Sequence, residues 1–217
     1  MSNTERLEYA LPRDIETRSF QIIEEELGPH GFDPQTALVV KRVIHATADF
    51  DFAKNLHFSD RAVQDGVAAL KSGAHVVADT TMVAAGINKR VLSSFGGSVH
   101  VFVADDDVAR EARERGTTRS AVSMERAARL KKPLVFAIGN APTALLTLHR
   151  LLCDESMPAP ALVVGVPVGF VNVVESKELI MGDKVEHIVS RGRKGGSTVA
   201  AAIVNALLYL ASNDRRW

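Results

Sequence analysis

"PLVFAIGNAPTALLTLHRLLCDE", residues 133–155, decides the fold. Its first half is a short apolar run rich in strand formers, closed by Gly139 and Asn140. Its second half carries apolar residues at helical spacing behind Pro142, whose missing N–H costs nothing in a first turn. Asn140 stands where it can cap that helix. A continuous apolar strand, a turn and a helix form the repeating unit of a parallel sheet covered on both faces.

The unit recurs around this stretch. "AHVVADTT" (74–81) leads into "MVAAGINKRVLSSF" (82–95), and "SVHVFVADD" (98–106) into "DVAREARERG" (107–116). "PALVVGVPVGF" (160–170) leads into "VNVVESKELIMG" (171–182), and "VEHIVSRGRKGGS" (185–197) into "TVAAAIVNALLYLAS" (198–212). The chain before residue 73 differs. "IETRSFQIIEEELG" (15–28) reads as a helix stopped by Gly28 and Pro29. "DPQTALVVKRVIHATAD" (33–49) reads as a second, with Asp33 as N-cap and Pro34 first in the helix. After "LHFS" (56–59), a short strand, Ser59 is placed to cap a third helix ending near Gly73. These elements are expected to pack on the sheet as an N-terminal helical layer, within one domain over 1–217 whose ends, 1–10 and 212–217, are flexible.

Composition narrows the function classes. Lysine plus arginine equals aspartate plus glutamate, 26 each, so no net field draws in nucleic acid or anionic membrane. One cysteine, Cys153, leaves no internal disulfide framework and suits a reducing, cytoplasmic setting. "MSNTERLEYALPRD" has no apolar core of a signal peptide. The longest apolar stretches, 161–174 and 198–211, fall short of the roughly 20 residues a spanning helix needs. A soluble protein is expected.

In an open parallel sheet, ligands bind beyond the carboxyl ends of the strands. Those ends read Asp79, Thr80 and Thr81; Asp105; Asn140; Pro167 and Gly169; and Gly192 to Ser197. The richest is "SRGRKGGST" (190–198), in which two arginines and a lysine precede Gly195, Gly196 and Ser197 at a helix start. Free N–H groups there, beside positive side chains, make an anion site for phosphate or carboxylate. It is not a phosphate-loop motif, because Lys194 precedes the glycine pair instead of following it. A basic turn that merely closes the last strand is the plain alternative.

His45 raises the chemical question. On a helical projection, Leu38, Lys41 and Arg42 share its side, while Val40 and Val43 lie opposite. His45 therefore projects away from the core beside two cations, with Asp49 four residues on. It is either a solvated surface residue or a proton-handling group beside a ligand. Arg119, in the first turn of a helix, opposes the helix dipole unless an anion or a partner chain lies near. His75 and His100 read as structural, and Cys153 as a packed small hydrophobe. No histidine pair has metal-ligand spacing, so no metal site is expected.

Seven segments, in order, resemble the precorrin-8X methylmutase family of corrin (vitamin B12) biosynthesis. They are "IETRSF" (15–20), "KRVIHATADFDF" (41–52), "DTTMVAAGI" (79–87), "TTRSAVSMERAA" (117–128), "AIGNAPTAL" (137–145), "PALVVGVPVGFVNVVESKE" (160–178) and "GRKGGSTVAAAIVNALL" (192–208). The resemblance implies a flavodoxin-like fold and an isomerase that needs no cofactor. It moves a methyl group from ring carbon 11 to ring carbon 12 of a tetrapyrrole, giving hydrogenobyrinate or its cobalt counterpart. A homodimer with active sites where subunits meet is implied as well. His45 matches the family's acid–base histidine, and Ser19 and Arg42 match substrate-contacting residues. Thr80, Thr81, Arg119 and Ser120 would line the same pocket. The anion rim at Gly195, Gly196 and Ser197 becomes a carboxylate rim, and Phe50 and Phe52 either face the macrocycle or pack their loop on the core. A protein that only binds a corrinoid or another polyanion would use the same rim without needing His45. A phosphate-ligand enzyme on the same scaffold lacks a serviceable loop lysine here.

Overall fold

The computed structural model describes residues 12–212; of the ends read as flexible, all but Ser212 lie outside the described residues. Chain order is α1 (Pro12–Leu27), α2 (Pro34–Thr47), α3 (Phe52–Asn55), β1 (Leu56–Phe58), α4 (Ala62–Lys71), β2 (His75–Ala78), α5 (Thr81–Gly86), α6 (Lys89–Ser94) and β3 (Val99–His100). It continues with α7 (Asp106–Glu114), α8 (Arg119–Ala127), β4 (Leu134–Ile138), α9 (Pro142–Cys153), β5 (Leu162–Gly165), α10 (Val173–Gly182), β6 (His187–Ser190) and α11 (Ser197–Ser212).

The strands form one sheet in the order β1-β6-β5-β4-β2-β3. β2 to β6 pair in parallel, and β1 closes the edge antiparallel to β6. Counted among themselves, the parallel strands follow the flavodoxin-like order 2-1-3-4-5. Alternation along the strands divides the core. Val76, Ala78, Val135, Ala137, Leu162, Val164 and Ile188 face α4, α5 and α11. Val77, Phe136, Ile138, Val163 and Val189 face α8, α9 and α10.

The last helix organises the first of these faces. α11 is apolar nearly all round, burying Val199, Ile203, Val204, Leu207 and Leu208 completely or almost so. Such a helix must be covered on every side. The sheet, α4 and α5 supply part of that cover, and α2 lies along the rest with α1 outside it. Of the N-terminal helices, α4 packs directly on the sheet, while α1 and α2 form a further layer over α11.

The capping chemistry partly follows the sequence. Asp33 caps α2, its carboxylate accepting from the Gln35 and Thr36 N–H groups at 2.9 and 3.2 Å. Two expected caps give way to long-range partners. Ser59 is held in the edge ladder, its N–H donating to His187 O at 3.0 Å and its hydroxyl to Glu186 Oε2 at 2.6 Å, so it does not cap α4. Asn140 is exposed and does not cap α9. Instead the buried Asp79, at the end of the neighbouring strand, accepts from the N–H groups of Gly139, Asn140 and Ala141 at 3.0, 2.8 and 2.8 Å. Burial pushes the Asp79 carboxyl above its ordinary value, and those three N–H groups oppose the shift.

Candidate active site

The order of the sheet reverses between β2 and β4, and the carboxyl edge there is the expected ligand position. The segment 191–196 reaches it by crossing that edge from β6. The crossing is tight enough to need glycine. A Cβ on Gly195 would overlap the Val166 carbonyl oxygen, and one on Gly139 would lie 2.7 Å from Ser197 Cα. The Gly196 N–H donates to Val166 O at 2.8 Å. From below, the buried Lys177 ammonium donates to Gly192 O at 2.7 Å and Lys194 O at 2.9 Å. Burial pushes that ammonium down to about 8. The crossing delivers Ser197 to Thr80, whose hydroxyls lie 3.2 Å apart, while Thr80 also caps α5 through the Val83 N–H.

Lys194 does not present its charge to a ligand here. Its ammonium lies 2.7 Å from both Asp49 and Asp51, which ties the crossing segment to the loop after α2. That hydrogen bond holds the Asp49 carboxyl below its ordinary value. The sequence placed Asp49 beside His45, but Lys194 has claimed it. Donors for an anion are free at the start of α11. The Ala200 N–H bonds back to Gly196 O, so the N–H groups of Ser197, Thr198 and Val199 stand ahead of the first intrahelical bond.

A cleft of about 380 Å³ opens between α2, α5 and α11, lined among others by Arg42, His45, Met82, Ser197, Thr198 and Tyr209. His45 leaves the last turn of α2 exposed, and Val39, Val40, Val43 and Ile44 behind it are buried, as the helical projection requires. Its ring stacks on Phe20 of α1, centroids 5.0 Å apart and planes 12° from parallel. Arg42 extends from the same face of α2. Its guanidinium lies 5.0 Å from the Phe20 ring centroid and 5.2 Å from that of Tyr209, and it donates to Glu16 Oε1 at 2.6 Å. Aromatic faces and a carboxylate thus fix Arg42 on the cleft wall beside His45.

The other expected site residues divide. Thr80 lies beneath the cleft against Ser197, and Thr81 is exposed next to Met82. The Ser19 hydroxyl donates to Ile15 O of its own helix at 2.8 Å. Arg119 and Ser120 open α8 on the opposite face of the sheet and do not line the cleft. Thr118, just before them, reaches Thr143 at the start of α9, which keeps them at the carboxyl edge. Phe52 is 2 % exposed in the core and Phe50 packs against it, so the packing reading holds for both. Cys153 is exposed, against the expectation of a packed side chain, because it lies on the outer side of the last turn of α9.

Phe20, Glu16, Tyr209 and Lys177 were not legible as site residues. Phe20 could have been found, since it shares a helix face with Ile23 and follows directly on Ser19. Tyr209 carries no such signal; only the way α11 lies along α2 brings it to Arg42.

A family model described as precorrin-8X methylmutase matches residues 14–210. A cobalt-precorrin-8 methylmutase of Priestia megaterium is 46% identical over 202 residues, covering 93% of this chain and 89% of its own. A precorrin-8X methylmutase of Pseudomonas aeruginosa is 42% identical over 195 residues, covering 89% and 93%. The crystal structure of precorrin-8X methylmutase from Thermus thermophilus superposes with a TM-score of 0.84 at 41% identity, covering 92% of this chain and 98% of that one. The chain belongs to the precorrin-8X methylmutase family.

Proposed function

We propose that this methylmutase, an isomerase by family, carries out its methyl shift in the cleft between α2, α5 and α11, with His45 as proton donor and acceptor. The observation that carries the reading is the imidazole itself. It is an exposed acid–base group on the cleft wall, and its plane is fixed against Phe20. An isomerisation leaves no net change in protons, so the proton lent to the ring system must be taken back. One imidazole can do both. While protonated at a ring position, the macrocycle is electron-poor, and the methyl migrates to the neighbouring carbon. The walls hold the substrate in the reactive tautomer, so orientation supplies much of the acceleration.

The remaining residues suit a carboxyl-fringed ring. Arg42, fixed by Glu16 and two aromatic faces, is a point of attachment for one side arm. The N–H groups at the start of α11, with the Ser197 and Thr198 hydroxyls, suit another. Met82, 69% exposed on the cleft wall, offers apolar contact. A tetrapyrrole is larger than a cleft of about 380 Å³, so more surface must close over it. A second copy of the chain is the proposed source, and it would also bring Arg119 and Ser120 to the substrate. Phe170 and Val171, 82% and 76% exposed at the same carboxyl edge, are the kind of apolar surface such a contact covers. The working form is proposed to be a cytoplasmic homodimer. None of its described helices is long and apolar enough to cross a membrane.

Incubating the protein with precorrin-8X while following the absorption spectrum tests the reading, because moving the methyl group changes the conjugation. A spectral conversion that goes to completion with substoichiometric enzyme is expected. A change that stops at one equivalent would indicate binding alone.

A further inference from the structure

Nothing in the methyl shift uses the amino edge of the sheet, where α9 and α10 end. We infer that His149, Cys153 and Asp183 form there a binding site for a borderline-soft divalent transition ion of the zinc class. His149 and Cys153 are four residues apart in the last turns of α9 and so share one face. Asp183 caps the C-terminal end of α10, which packs along α9. One ligand atom from each of the three lies within 4.8 Å of the others. Asp183 Oδ1 is 2.9 Å from His149 Nδ1, and Cys153 Sγ is 3.9 Å from Nδ1 and 3.7 Å from Nε2. With metal bonds of about 2.3 Å to sulfur and about 2.0–2.2 Å to nitrogen and oxygen, the edges of a tetrahedron are about 3.3–3.6 Å. Small side-chain shifts bring the three atoms to that spacing.

The chemistry of the set is selective. Thiolate, imidazole and carboxylate together suit zinc and cobalt(II), and do not suit calcium or magnesium, which take oxygen ligands. Two helix C-termini converge on the site, and their negative partial charge favours a cation. The Asp183 side chain is only 10% exposed, so its carboxylate sits in surroundings that reward a positive partner. Beside it a cavity of about 430 Å³, lined by Cys153, Glu155 and Asp183, leaves room for a metal-bound water in the fourth position. On binding, the Cys153 thiol loses its proton to solvent, the sulfur bonds to the ion, and His149 coordinates as the neutral ring. The ion would staple together the segments that enter β5 and β6, a stabilising role separate from turnover. In its absence, His149 and Asp183 simply pair with each other.

Titration of the chelator-treated full chain, carrying no histidine tag, with cobalt(II) tests this. One equivalent should bind with thiolate-to-cobalt charge-transfer absorption, intense tetrahedral d–d bands and release of protons. Zinc should displace the cobalt and raise the melting temperature. Cys153→Ser should abolish the charge-transfer band, and both it and Asp183→Asn should weaken binding at least tenfold. A wild-type titration without the charge-transfer band would overturn the proposal. So would a cobalt spectrum unchanged by Cys153→Ser, since the ion would then sit elsewhere, for example at His75 and His100, whose ring nitrogens are 2.7 Å apart.

Discussion

His45 stands on the exposed face of α2 because Val39, Val40, Val43 and Ile44 take the buried one, and this much follows from helical spacing alone. What turns an exposed histidine into an oriented one is Phe20, which comes from a different helix and packs flat beneath the imidazole. Sequence reasoning found the histidine and not its support, because periodicity reports which face a residue occupies and says nothing of what another helix lays against it. Phe20→Leu keeps apolar bulk but removes the flat surface. It should lower kcat several-fold with KM nearly unchanged; a pure rise in KM would mean that Phe20 contacts substrate instead of orienting His45. Arg42→Ala should mainly weaken substrate binding, by about 1.5–3 kcal/mol for a lost charged hydrogen bond. Steady-state kinetics separate the two, and a kcat defect alone would argue against a carboxylate contact at Arg42.

At the scale of elements, the strand–turn–helix unit was legible at every parallel strand, because apolar runs and turn residues are local signals. The ties between units were not. The sequence puts Asp79 on the rim, yet its carboxylate is buried and holds three N–H groups at the start of α9. Asp79→Ala should cost about 1–3 kcal/mol in chemical denaturation, because it leaves buried N–H groups without their acceptor. A loss below half a kcal/mol would show that solvent replaces it. Lys177 is the counterpart under the 191–196 crossing, with an ammonium pushed from its ordinary 10.5 down to about 8. In that window the unfolded chain binds more protons at this group than the folded one, so its contribution to stability rises as pH climbs from about 8 towards 10.5. Wild type should therefore gain on Lys177→Met across that range, by up to about 1.4 kcal/mol per pH unit. Denaturation midpoints at pH 7 and 9.5 check this; a constant gap between the two proteins would contradict it.

Across the whole molecule, the flavodoxin-like order puts the switch point between β2 and β4, and the glycine-lined crossing from β6 carries α11 back to it. One chain offers a cleft with His45 and Arg42 on its wall, while Arg119 and Ser120 lie on the opposite face of the sheet. Resemblance named all four, but no periodicity or spacing in the sequence says which of them meet. A homodimer should appear in light scattering at micromolar concentration, and Phe170→Asp should split it and lower turnover; a fully active monomer would contradict the shared site. Wild type and His45→Ala should bind the reaction product with affinities within about tenfold of each other, while the spectral conversion of precorrin-8X by the variant falls by about 10²–10⁴-fold, the usual worth of a positioned acid–base group. Conversion by His45→Ala at the wild-type rate would contradict the account.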